Sequence, residues 1–89
     1  MEKSTHSAEY KRLLQLLREF RDETDLTPRQ VADRLGKPQS WVSKYESGER
    51  RIDVIELGHI LTALGVPKGL LLRRLDPAWL DTGDPGHPS

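Results

Sequence analysis

Residues 27–51, TPRQVADRLGKPQSWVSKYESGERR, decide the fold. Thr27 is placed to cap a helix, and Pro28 stands at its first position, where a missing N–H costs no hydrogen bond. Gln30 follows Thr27 by three residues, which completes a capping box. Leu26 and Val31 occupy the two positions of a hydrophobic staple across the same start. The helix runs through Val31, Ala32 and Leu35 to Gly36, which is free to adopt the left-handed conformation of a helix stop. Pro38 opens a second helix, and Ser47-Gly48 closes it. Two helices of about eight to ten residues, joined by a turn of three or four containing Gly, make a helix-turn-helix.

The second of these helices divides by face. Val42 and Tyr45 point to a core. Gln39, Ser40, Ser43, Lys44 and Ser47 share the opposite side at helical spacing. A polar face is ordinarily just a solvated one, but this one carries groups suited to a major groove. Gln and Lys hydrogen-bond base edges, and Ser reaches either base or phosphate. Trp41, next to buried Val42, is expected to pack at the flank of this helix. Glu46 is expected to be structural, accepting from an arginine or a backbone N–H, because a carboxylate facing phosphate would repel it.

These residues resemble the Cro and phage-repressor type of helix-turn-helix, the Xre family. Thr27, Ala32, Gly36, Gln39-Ser40, Val42-Ser43-Lys44, Glu46 and Gly48 stand in the register of that pattern, and the likeness extends over about residues 9–67. The resemblance implies an all-α, five-helix, lambda-repressor-like domain whose third helix enters the major groove of double-stranded DNA. Where the family usually carries a phosphate-contacting Gln after the Thr, this chain has Pro28, so that contact is either lost or moved to Arg29 or Gln30. The segment after the recognition helix lies along the DNA backbone in such proteins, which makes Arg50 and Arg51 phosphate contacts by analogy.

On either side of the central unit the periodicity continues. Residues 1–6 are polar and expected to be frayed. Ser7 caps a helix with an apolar stripe of Tyr10, Leu13, Leu14, Leu17 and Phe20. Its other face, Lys11, Arg12, Arg18, Glu19, Arg21, Asp22 and Glu23, reads as a solvated mixed-charge surface. Asp53 and Glu56 form a second capping box, with Ile52 and Leu57 as its staple. Val54, Leu57, Ile60, Leu61 and Leu64 are the expected core positions of that fourth helix, which Gly65-Val66 ends. Pro67 opens a fifth helix reaching Leu75. Its Leu70, Leu71, Leu72 and Leu75 are more apolar surface than one short helix buries alone, which points to a partner. With Trp79 they form the expected dimer interface, in keeping with the resembling repressors, which dimerise through this region and match palindromic operators. The domain is thus expected over residues 7–75. The remainder, 76–89, holds three Pro, two Gly and three Asp and is expected to be largely disordered.

Composition excludes most other chemistry. Eighty-nine residues suit one small domain with a modest core. There is no cysteine, and His6, His59 and His87 lack ligand spacing, so neither a metal nor another cofactor is expected. No Ser stands in a recognisable relation to a base and an acid, and no Gly-rich loop cradles a phosphate, so an enzyme is not expected. No apolar run reaches a membrane span and no signal-peptide pattern opens the chain, which reads as cytoplasmic. The zero net charge hides an uneven distribution. Residues 1–26 carry five Lys/Arg against six Asp/Glu, residues 27–51 six against three, and residues 52–89 three against five. The positive excess lies in the segment that would face DNA.

The sequence therefore reads as a DNA-binding transcriptional regulator, a repressor acting as a dimer on a palindromic operator. Gln39, Ser40 and Lys44 are assigned to base edges, and Arg29, Gln30, Ser43, Ser47, Arg50 and Arg51 to phosphates. A restriction–modification controller protein would have the same size and fold. A protein-interaction module of the antitoxin kind would use the leucine-rich fifth helix instead.

Overall fold

Helix signals in the sequence act locally, and the chain obeys them. A computed structural model describes residues 7–75, which form five helices and no strand: α1 (Ala8–Glu23), α2 (Pro28–Leu35), α3 (Gln39–Ser47), α4 (Val54–Leu64) and α5 (Lys68–Leu75). The expectations for residues 1–6 and 76–89, including His6, Trp79 and His87, lie outside the described residues.

Three starts are capped as the sequence implies. The Ser7 hydroxyl accepts from the Tyr10 N–H at 3.0 Å. Thr27 accepts from the Gln30 N–H at 3.1 Å while the Gln30 side chain accepts from the Thr27 N–H at 2.9 Å. Asp53 and Glu56 repeat this reciprocal arrangement at 2.7 and 3.0 Å. Each such cap contributes on the order of 1 kcal/mol by satisfying amides the helix leaves open. Gly36, at φ 69°, stops α2, and the next N–H, of Lys37, reaches back to the Ala32 carbonyl at 3.0 Å. A Cβ at Gly36 would meet nothing within 4 Å, so it is the positive φ that favours glycine there. At the end of α1 the left-handed position is taken by Asp25 (φ 59°), one of the few non-glycine residues that tolerate it.

The core is drawn from all five helices. Leu16, Leu17 and Phe20 of α1 meet Val31 and Ala32 of α2, Val42 and Tyr45 of α3, Ile60, Leu61 and Leu64 of α4, and Leu71 of α5. Leu26, Leu35, Leu57 and Val66 pack against its margin. The amphipathic stripe of α1 is wider than the sequence reading allows. Leu16, three residues after Leu13 and four before Phe20, is fully buried on its edge.

Arg21 is a correction of a different kind. Assigned to the solvated face, it is only 9% exposed. It stands four residues after Leu17 and seven after Leu14, in the middle of the buried stripe. Its Nε donates to Glu46 Oε2 at 2.6 Å, its Nη2 to Glu46 Oε1 at 3.2 Å, and its Nη1 to the Leu26 carbonyl at 3.1 Å. Glu46 thus has the structural role read for it, and the fork joins α1, the α1–α2 corner and α3.

Val54 is the second correction. It is 76% exposed, and Ile55 beside it is 65% exposed. Val54 occupies the first position of α4, where it lines the edge of an open apolar groove formed with Leu57, Leu61, Leu71 and Leu72. Ala63 is buried on the opposite half of the same helix.

The Tyr45 hydroxyl is buried with no hydrogen-bond partner among the described residues, and burial pushes its phenol well above the ordinary value. An unpaired buried hydroxyl costs about 1–3 kcal/mol, so Tyr45→Phe, which keeps the ring, is expected to leave stability unchanged or raise it by about 1 kcal/mol. Urea unfolding measures this, and a clear loss of stability would mean that the hydroxyl is satisfied in solution.

Candidate nucleic-acid interface

The capped pair α2 and α3 sets one face of α3 outward. Val42 and Tyr45 anchor the helix in the core, and the residues on the other side are therefore forced into solvent. Gln39, Ser40, Ser43, Lys44 and Ser47 are all exposed there and, with Glu49, line a single open depression. A second depression shares Ser40, Lys44 and Glu49 and continues over Pro38 and Trp41 to Arg50 and Arg51. The polar helix face and the basic loop are one continuous surface. Glu49 is the acid at its border, a feature the sequence reading did not weigh.

The individual side chains are in different states. Gln39, Ser40, Ser43 and Lys44 project from the helix surface, and Arg29 is exposed at the start of α2. Gln30 lies next to Arg29, but its side-chain oxygen is committed to the cap, which leaves the amide nitrogen as the group able to donate to an anion. The Ser47 hydroxyl donates to the Lys44 carbonyl at 3.1 Å and accepts from the Glu49 N–H at 3.3 Å, so it serves the end of α3.

The two loop arginines differ most from simple solvated cations. Arg51 lies over the Tyr10 ring, 4.3 Å from its centroid, while the Tyr10 hydroxyl accepts from the Ile52 N–H at 3.1 Å. Arg50 is paired with Glu56 of α4 and lies 5.0 Å over the ring of Trp41. The Lys37 ammonium is 5.4 Å from the centroid of that same ring, and Trp41 meets Tyr45 edge to face at 5.5 Å. Trp41 packs at the flank of α3, half-buried. Sequence reasoning missed Tyr10, Lys37 and Glu56 as parts of this surface. Helical spacing marks Tyr10 only as a core residue and Glu56 only as half of a cap, because their second roles depend on contacts across the fold.

The leucines assigned to a dimer interface separate as well. Leu71 is 2% exposed and belongs to the protein's own core; Leu70 and Leu75 are half-buried against it. Leu72, 36% exposed, stays available on the groove that Val54 borders. Elsewhere, Arg74 reaches Glu23 at 3.2 Å and lies over Phe20, docking α5 on α1. Among the described residues no group of His, Asp and Glu is arranged to hold a metal ion, and no single helix is long and apolar enough to cross a membrane.

A family model described as a helix-turn-helix domain matches residues 12–75. Among solved structures, an Xre-family-like protein from Pseudomonas syringae pv. tomato str. DC3000 is 44% identical, with a TM-score of 0.75 over 79% of this chain and 88% of that one. A search of curated proteins finds no match.

Proposed function

This chain belongs to the Xre family of helix-turn-helix DNA-binding regulators, and on that premise we propose that it is a repressor that reads a palindromic operator as a dimer. One observation carries the sequence-specific part of the reading. A helix held by two buried anchors presents Gln39, Ser40, Ser43 and Lys44 on one exposed face that runs into a basic loop. Gln39, Ser40 and Lys44 take base edges in the major groove. Arg29, the amide nitrogen of Gln30, Ser43 and Arg51 take phosphates on its two sides, with the N-termini of α2 and α3 helping. Ser47 contributes through the end of α3, and Arg50 is engaged by Glu56. Repression asks only that the operator be occupied, and a cytoplasmic location goes with that reading.

For the dimer, the exposed apolar residues favour a contact centred on Val54, Ile55 and Leu72 rather than on Leu71. Val54→Asp tests it, because an acid in the first turn of α4 suits the helix dipole and leaves the fold intact. The variant is expected to sediment as a monomer and to lose operator affinity. An unchanged mass would remove this patch as the interface.

Selection from a pool of randomised duplexes tests the reading as a whole. A pseudo-palindrome whose half-sites lie about one helical turn, roughly 10 bp, apart is expected. A pool that converges on no sequence would contradict it.

A further inference from the structure

Glu56 uses its two oxygens for two tasks. Oε1 accepts from the Asp53 N–H at 3.0 Å and closes the cap of α4, while Oε2 holds Arg50. The Arg50 guanidinium is thereby laid on the indole of Trp41, whose ring the Lys37 ammonium also approaches. The Arg50 Nε is buried without a hydrogen-bond partner among the described residues, and the Arg50 backbone N–H is tied to the Lys44 carbonyl at 3.1 Å. The Nε edge of the guanidinium therefore faces into the protein and its charge is already met by a carboxylate, while the side chain as a whole stays 38% exposed. With its charge already paired to Glu56, Arg50 offers a phosphate less than an unpaired arginine would.

We infer that Glu56 is a positioning residue for operator reading: through Arg50 it clamps Trp41, and with it the start of α3 and the 49–51 loop, in the arrangement that aims Gln39, Ser40 and Arg51 at DNA. Arg50 is the jaw of the clamp rather than a phosphate ligand. The planar fork of Arg suits this place because it stacks on an aromatic face and pairs with a carboxylate at once, which an ammonium does not. The inference rests on the DNA-binding reading, but the clamp itself has a signature in the free protein.

The test uses Glu56→Gln in the full chain, with Trp79→Phe in both wild type and variant so that Trp41 is the sole tryptophan. Gln keeps an oxygen for the Asp53 N–H and loses the charge that holds Arg50. The Trp41 emission and near-ultraviolet circular dichroism of the free protein are expected to shift. The preference for the selected operator over random duplex is expected to fall about tenfold, with affinity for random DNA changing no more than about twofold. Arg50→Lys is expected to reproduce both effects. If Arg50 were instead a phosphate ligand restrained by Glu56, Glu56→Gln would tighten both DNAs and steepen the salt dependence by about one. That result, or an unchanged Trp41 signal, or an unchanged preference, overturns the clamp. A wild type with no operator preference would sink the DNA reading, and the Trp41 signal alone would then support or overturn the clamp.

Discussion

Glu46→Ala is expected to destabilise the domain by about 3–5 kcal/mol, the cost of leaving a buried cation without its partner. The Arg21 and Glu46 side chains are only 10% and 11% exposed, and two N–H···O bonds in a fork join them. The hydrogen bond to Glu46 raises the Arg21 guanidinium above its already high ordinary value, so it stays charged at every working pH. The Leu26 carbonyl satisfies one more N–H of Arg21 without neutralising the charge, and Asp22, 3.7 Å away but 66% exposed, compensates it only weakly. In a small domain a loss of this size is a large part of the total stability and moves Tm by more than about 10 °C. Urea unfolding at neutral pH measures it. Arg21→Met combined with Glu46→Leu is expected to recover most of the loss, since an apolar pair of similar volume leaves no buried charge behind. A loss below about 1 kcal/mol for Glu46→Ala would mean that the pair behaves as a surface one.

Gln39→Ala is expected to cost about 1–3 kcal/mol on the cognate operator and to relax discrimination at one base pair. Gln39 opens α3, where side chains of a recognition helix first reach base edges, and it is exposed. Arg51→Ala should behave differently. It is expected to weaken operator and random DNA alike and to lower the salt slope by about one, the signature of a phosphate contact. Arg51 also covers the Tyr10 ring, so a small loss of stability accompanies the change. The two variants are compared by titrating both duplexes at two salt concentrations. If both variants affected operator and random DNA identically, the division of labour between helix face and loop would be wrong.

The parts of this fold that were legible in the sequence are those whose causes are local. Thr27 with Gln30, Asp53 with Glu56, and Ser7 specify three helix starts through neighbours three residues away, and Gly36 specifies a stop through its own backbone freedom. Contacts between distant segments were not legible. Arg21 sits in a run of charged residues, and only its phase with Leu14 and Leu17 marks it as inward; the carboxylate that makes burial tolerable is Glu46, in another helix. The dual use of Glu56 and of Tyr10 is hidden for the same reason. Val54 shows the opposite error. Periodicity assigns a residue to a face but does not say whether another element covers that face at a helix end. The leucines of α5 combine both limits. Composition shows an apolar surplus, yet only packing reveals that Leu71 is spent on the core and Leu72 is not.

The polar face of α3 was legible as a set because its five residues follow from helical spacing once Val42 and Tyr45 are buried. What each residue assigned to DNA does was not, since Ser47 on this face and Gln30 in α2 are partly consumed by helix ends, and Arg50 in the following loop by Glu56. The basic stretch 27–51 therefore presents a smaller free cation set than its six Lys/Arg suggest.

The most direct measurement is fluorescence anisotropy of the sequence recovered by selection, titrated with the full chain beside a random duplex of equal length at two salt concentrations. Sequence-specific regulation predicts tight, salt-sensitive binding with a preference of about 10³ or more for the recovered sequence. Equal and weak binding to both duplexes would contradict it.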